Sequence, residues 1–145
     1  MPATTLLAAC LVVGIADGDT LTALCPEHQQ VKVRLAEIDA PEKAQAFGQR
    51  SKQSLSDLCY KKRADLEVQT RDRYGRAVAT VKCNGTNANV EQVKRGMAWV
   101  YDDYVKNNMY YYVQSDAKNA RVGLWSDPNP VPPWEWRRAK RSQGR

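Results

Sequence analysis

Five short β-rich runs, separated by turn chemistry and broken once by a helical stretch, leave this chain few folds to choose from. Residues 11–15 and 20–24 flank Asp17-Gly18-Asp19, and Asp-Gly between two such runs marks a hairpin because those residues tolerate tight-turn geometry. Val31-Lys32-Val33-Arg34-Leu35 alternates apolar and basic residues, the period of two that gives a strand one buried and one solvated face. Pro41 then takes the chain out of the sheet, since it has no N–H for a ladder. From Phe47 to about residue 62, Phe47, Leu55, Leu58 and Cys59 recur at helical spacing, which predicts an amphipathic helix. Residues 66–70 and 77–83 return to strand chemistry on either side of a polar loop. Asn89 can cap a helix carrying Val90, Val93 and Met97, and residues 110–121 read as a last helix stopped by Gly123. The Pro-rich residues 127–133 are expected to end regular structure. The pattern predicts an α+β domain whose five strands can close into an OB-type barrel, with three helices.

The chain has 145 residues, 43% of them hydrophobic and 26% charged, which suits one globular domain and excludes disordered and collagenous classes. No segment approaches the roughly 20 apolar residues a spanning helix needs. Twenty-two basic residues against 16 acidic give a net charge of +6, and a basic balance points to an anionic partner. Arg137, Arg138, Lys140, Arg141 and Arg145 supply five of those charges with no acid among them. Without them the balance is 17 against 16, so the net charge describes mostly a tail over residues 128–145. That tail is expected to add salt-sensitive affinity for polyanions or to be a solvated end. Within the domain at residues 10–127, positive charge gathers locally, with six basic residues against three acids over 61–76.

Cys10, Cys25, Cys59 and Cys83 contain no CxxC pair, which excludes a zinc ribbon or a thioredoxin-type site. They are either two disulfides, in one of three connectivities, or four buried thiols. Residues 1–9 read either as a signal-peptide remnant, with small residues before a cleavage point but no basic start, or as a disordered lead-in. With the cysteines, the expectation is a secreted or periplasmic protein.

Asp17 and Asp19 in the hairpin, and Asp39 and Glu42 after the basic strand, bring carboxylates from separate segments beside one sheet. Converging oxygens of that kind suit a hard divalent cation. Arg34 and Arg76 are guanidinium forks suited to phosphate oxygens. The lone His28 has no metal-ligand neighbour and reads as solvated, and Tyr110-Tyr111-Tyr112 and Trp134-Glu135-Trp136 read as surface cover.

Asp17-Gly18-Asp19-Thr20, Val33-Arg34-Leu35 through Ile38-Asp39-Ala40-Pro41-Glu42, and Asp72-Arg73-Tyr74-Gly75-Arg76 resemble, in that order, the motifs of the staphylococcal nuclease (thermonuclease) family. Val93-Lys94-Arg95-Gly96-Met97-Ala98 and Gly123-Leu124-Trp125 extend the likeness. The resemblance implies a five-stranded OB barrel with three α-helices, and a calcium-dependent, sugar-nonspecific endonuclease that acts on DNA and RNA and leaves 3'-phosphate ends. It assigns Asp19 and Asp39 as Ca²⁺ ligands, with Ala40 contributing its main-chain carbonyl. Glu42 would activate the attacking water, and Arg34 and Arg76 would hold the scissile phosphate. Arg73, Tyr74, Trp99 and Tyr101 fall where substrate is bound, with the aromatic rings suited to stacking on bases. The staphylococcal protein has Thr where this chain has Ala40, has a longer loop after Glu42 and has no cysteine. The protein is expected to be a monomer. Two other readings stand beside this one: a catalytically silent OB module that binds nucleic acid, which would lack one of Arg34, Glu42 and Arg76, and a processing enzyme with structure-specific substrates.

Overall fold

The computed structural model describes residues 4–143. β1 (Thr5–Asp17) and β2 (Thr20–Cys25) form the expected antiparallel hairpin, Asp17 opposite Thr20. β2 pairs with β3 (Gln29–Leu35), setting Thr20 opposite Arg34. The chain continues through β4 (Ile38–Asp39), α1 (Gly48–Cys59), β5 (Arg63–Arg71), β6 (Ala77–Cys83), β7 (Thr86–Asn87), α2 (Ala88–Lys94), β8 (Trp99–Val100), α3 (Met109–Ala120) and α4 (Pro133–Gln143). The strand order β3-β2-β1-β5-β6 closes on itself because β3 also lies parallel to β6, with Val33 beside Ala77 and Leu35 beside Ala79. This is a closed five-stranded barrel, an α+β OB fold as the strand pattern predicts. β7 extends the sheet beyond β6, and β4 and β8 make a separate two-stranded ribbon.

β1 starts earlier than its strongest β signal. Residues 5–11 pair with β5, while residues 11–17 pair with β2, and register breaks after Leu7, Val12 and Ile15 bend the strand between its two partners. Bulges of this kind supply the curvature that barrel closure needs. Ala8 and Ala9 fall in the first of these breaks, between the paired residues Leu7 and Cys10, and the Ala9 N–H is held by the Asp65 carboxylate of β5 at 2.9 Å. The first three residues of the expected lead-in lie outside the described residues. The core gathers Val12, Leu21, Val33, Leu35, Leu66 and Val81 from the barrel strands, Leu55 from α1, Val93 from α2 and Val100 from β8.

The four cysteines form two disulfides. Cys10–Cys25 joins β1 to β2, and Cys59–Cys83 joins the last residue of α1 to the last residue of β6. Buried amides do similar work without covalent bonds. Asn89 accepts from the Val81 N–H (3.0 Å) and donates to the carbonyls of Ala36 (3.0 Å) and Ala79 (3.1 Å), so α2 is tied to the barrel. Gln92 donates to the carbonyls of Gly18 (2.7 Å) and Ser51 (3.0 Å), which draws the β1–β2 turn, α1 and α2 together.

Gly18 is where that junction is tightest. A Cβ there would collide with the Ser51 side chain on α1 and sit 3.0 Å from the Ala40 Cβ. Overfilling a packed site costs roughly 1–3 kcal/mol, so Gly18→Ala should lower the thermal midpoint and loosen the turn that carries Asp19. Differential scanning calorimetry checks this, and an unchanged midpoint would contradict the packing described.

The C-terminal segment departs from the expectation of an irregular tail. Residues 133–143 form α4, a fourth helix. Pro133 occupies its first turn with Glu135, and Lys140 and Arg141 occupy its last. Proline at a helix start and charges that complement the helix dipole explain why a segment that begins at a proline run is helical.

Candidate active site

Asp19 enters from the β1–β2 turn, where its carboxylate accepts from the Ala40 N–H (2.8 Å) and the Thr20 hydroxyl (2.9 Å). The hairpin and the segment leaving β4 are thereby pinned side by side. Asp39 stands on β4 opposite Trp99 and is 1% exposed. β4 is held in place from behind by Glu37, whose carboxylate accepts from the Lys106 and Asn107 amides. β8 is held by Gln114, which accepts from the Val100 N–H at 2.8 Å.

Arg34, near the end of β3, closes this corner. Its Nη1 donates to the carbonyls of Leu35 and Ile38, each at 2.8 Å, and its Nη2 reaches Asp39 at 3.2 Å and Asp19 at 3.4 Å. One guanidinium therefore gathers two carboxylates from two turns while satisfying the backbone between them. Glu42 follows Asp39 after a single short step, in a loop kept tight because a Cβ at Gly48 would run into the Glu42 carbonyl.

A side chain from α4 completes the group. Arg137 Nη2 donates to Asp39 Oδ2 (2.8 Å) and to the Tyr101 hydroxyl (3.2 Å), and its Nη1 donates to Glu42 Oε1 (2.8 Å) and Asp39 Oδ1 (3.2 Å). Asp19, Asp39 and Glu42 thus meet two guanidiniums, leaving carboxylate in excess. Burial pushes the Asp39 carboxyl up to about 6, against the Arg137 hydrogen bond and the Arg34 charge, with neighbouring Asp19 adding to the rise. Asp17 is raised too, by burial first and then by Asp19.

Arg76 belongs to a second cluster. It lies just before β6, two residues ahead of Val78, the register partner of Arg34. Its Nε is paired with Asp72 at 2.7 Å, and Asp72 also accepts from the Tyr74 (2.9 Å) and Arg76 (3.0 Å) amides. Slight burial raises the Asp72 carboxyl, but these bonds outweigh it and hold the group below its usual range. Arg73 donates to the Tyr74 hydroxyl (3.0 Å), and the Tyr74 ring is 68% exposed. Arg76 is thus engaged with its own hairpin and is not drawn into the carboxylate group. Trp99 packs between Trp125 (4.5 Å) and Trp134 (5.9 Å), and Tyr101 lies parallel to Trp134 at 5.4 Å. Both rings face α4.

The structure brings Asp19, Arg34, Asp39 and Glu42, all singled out in the sequence, into one bonded group and adds Arg137 to it. The signal available for Arg137 was the helix start at Pro133, which would have placed the basic residues of 137–141 on a helix. Among the described residues, no three acidic, His or Cys side chains are close enough to form a ready metal cage. The donors present are all oxygens, however, and two aspartates within reach of one Arg34 nitrogen converge on a common point. That chemistry fits a hard cation whose remaining ligands are water and phosphate oxygens.

The family model for staphylococcal nuclease homologues matches residues 32–127. The chain belongs to the staphylococcal nuclease family. The matched span carries Arg34, Asp39, Glu42 and Arg76, begins after Asp19 and ends before α4. A Haemophilus influenzae protein named as an uncharacterized endonuclease is 51% identical over 132 residues, covering 91% of this chain and 74% of that one. The micrococcal nuclease of Shigella flexneri is 43% identical over 143 residues, covering 90% of this chain and 81% of its own length. The staphylococcal-like nuclease CAN1 of Arabidopsis thaliana is 37% identical over 113 residues, covering 78% of this chain and 35% of its own. The protein is an endonuclease, a hydrolase acting on nucleic acids. No helix among the described residues is long and apolar enough to cross a membrane.

Proposed function

We propose that this nuclease is calcium-dependent and sugar-nonspecific, hydrolyses phosphodiester bonds of both DNA and RNA, and leaves 3'-phosphate ends. The observation that carries the reading is the convergence of Asp19 and Asp39 on Arg34 Nη2, at 3.4 and 3.2 Å, with Glu42 joined to Asp39 across one guanidinium. Asp19, Asp39 and the Ala40 main-chain carbonyl would hold Ca²⁺, and a main-chain ligand is indifferent to the missing hydroxyl at that position. When bound, the ion neutralises charge that builds on the phosphoryl oxygens.

Glu42 accepts a proton from the attacking water, which requires its carboxylate to be free of Arg137 on the reacting side. Arg34 reaches the phosphate from the floor of the site, and Arg76 comes to it by leaving Asp72. A guanidinium is needed at both places because a phosphate presents two oxygens to a planar fork, and lysine cannot match that geometry. Positioned charges of this kind act on the transition state, where negative charge is largest. Arg73 and the exposed Tyr74 receive the flanking nucleotides, with stacking that does not depend on base identity. Trp99 and Tyr101 serve the same end once Trp134 has withdrawn. Two disulfides suit an oxidising compartment, so we place the enzyme in the periplasm or outside the cell, acting as a monomer.

The test is digestion of single- and double-stranded DNA and of RNA with Ca²⁺ and with EGTA, followed by end-group analysis with a 3'-phosphatase. Cleavage of all substrates in Ca²⁺, loss of cleavage in EGTA and phosphatase-sensitive 3' ends are expected. Undiminished activity in EGTA would sink the calcium assignment, and free 3'-hydroxyl ends would sink the product assignment.

A further inference from the structure

Arg137 stands where a cation is needed. It takes both oxygens of Asp39, at 2.8 and 3.2 Å, and one of Glu42 at 2.8 Å. Asp39 already accepts from Arg34 as well as from Arg137, so a divalent ion drawing on the same oxygens would bring a third positive group to one buried carboxylate, a repulsion relieved when the more exposed guanidinium leaves. We propose that Arg137 is an intramolecular counter-cation that keeps the carboxylates assembled in the resting enzyme and must leave before the divalent ion can bind. The inference rests on the calcium reading given under Proposed function.

The way α4 is attached supports a group that can leave. Of its side chains only Pro133 is buried, and a helix of 11 residues has little stability of its own. It is held by the Trp134–Tyr101 stack, by the Trp134–Trp99 contact, by Arg137 itself and, just upstream, by Gln45 donating to the Val131 carbonyl at 2.7 Å. A hollow of about 190 Å³ remains between the segment running from Asp127 to Trp136 and the Pro41–Phe47 loop. The hollow is open to solvent, so this segment lies over the loop without filling the space against it. The Arg137 side chain also keeps 29% of its surface in solvent, whereas that of Asp39 keeps 1%, so the arginine is the partner with somewhere to go. Because Trp134 covers the Tyr101 ring, the same departure uncovers an aromatic face at the site.

Mass action sets the size of the effect. If Arg137 is seated nine-tenths of the time, the apparent affinity for the ion falls about tenfold below its intrinsic value. Arg138, exposed on the same helix, is the matched control, since its removal changes net charge by the same amount without touching the carboxylates. Equilibrium dialysis of Ca²⁺ in the absence of nucleic acid should give a Kd about tenfold tighter for Arg137→Ala, and similarly for Arg137→Gln, than for wild type. Arg138→Ala should stay within about twofold of wild type. Hydrogen exchange in the wild-type protein should show faster exchange of the α4 amides when Ca²⁺ is saturating.

Equal or weaker Ca²⁺ binding by both Arg137 variants, with folding intact by circular dichroism, would overturn the inference and leave the calcium reading standing. Ca²⁺ binding by none of the proteins at millimolar concentration would overturn the calcium reading and this inference with it.

Discussion

Glu42→Gln should lower kcat by about 10²- to 10⁴-fold, the range expected when a positioned general base is removed, while KM and the thermal midpoint change little. Glu42 is suited to this test because of what it does not do. Its carboxylate holds no backbone group, and its side-chain partner is Arg137, in a pair about one-third exposed on each side. Surface-accessible pairs of that kind contribute roughly 0–1 kcal/mol to stability, so the substitution leaves the fold intact. Arg34 is a poor alternative. Removing it frees the Leu35 and Ile38 carbonyls and leaves Asp19 and Asp39 without the group that gathers them, so lost activity there would mix chemistry with misfolding. Steady-state kinetics on a defined oligonucleotide, read beside a melting curve, separate the two. A Glu42→Gln enzyme within about threefold of wild-type kcat would remove Glu42 from the role of base.

The difference between these two residues shows what the sequence could and could not reveal. Asp17-Gly18-Asp19, the alternating strand through Arg34 and the Asp39-to-Glu42 segment were legible because local rules agree there: turn chemistry, a period of two and a proline that ends a strand. The barrel closure was legible as a strand count, since five short runs have few ways to bury their apolar faces. What could not be read was set by distant partners. β1 runs on through Leu6 and Leu7 only because Glu67 and Leu66 of β5 lie opposite them, and the Asp65 side chain holds the bulge at Ala9. Asp72 captures Arg76, although the spacing of the motif gives no warning that the arginine has a local partner. The resemblance assigns Trp99 and Tyr101 to substrate, and the structure turns both toward Trp134, whose place in the sequence suggests only surface cover. Arg137 belongs by sequence to a basic tail, and its contact with Asp39 spans 98 positions. Net charge was therefore a poor guide in both directions. It overstates the basicity of the domain and hides the tail charge that, among the described residues, reaches the site.

Replacing Cys59 and Cys83 by serine should cost about 3 kcal/mol, the loop-closure contribution for a sequence separation of 24. For a domain of this size that lowers the melting temperature by roughly 10 °C. The bond at Cys10–Cys25, with a separation of 15, closes nearly as much entropy by the same reasoning, but the two bonds do different structural work. Cys10 and Cys25 lie on strands already laddered, Leu11 opposite Leu24, so the ladder retains much of the geometry after reduction. Cys59 ends α1 and Cys83 ends β6, with no ladder between them. α1 also carries Ser51, which packs on Gly18 and accepts from Gln92, and that turn positions Asp19. Loss of Cys59–Cys83 should therefore cost activity near the melting transition before the barrel unfolds, whereas loss of Cys10–Cys25 should not. Denaturant titrations of each double-serine variant, and of wild type with and without reductant, measure the stability term, and activity against temperature measures the coupling. A wild-type midpoint indifferent to reductant would show that the bonds stabilise nothing, and thiol titration of unreduced, denatured protein should find no free cysteine. The bond thus ties the end of α1 to β6, and α1 so held keeps Ser51 against the turn that carries Asp19.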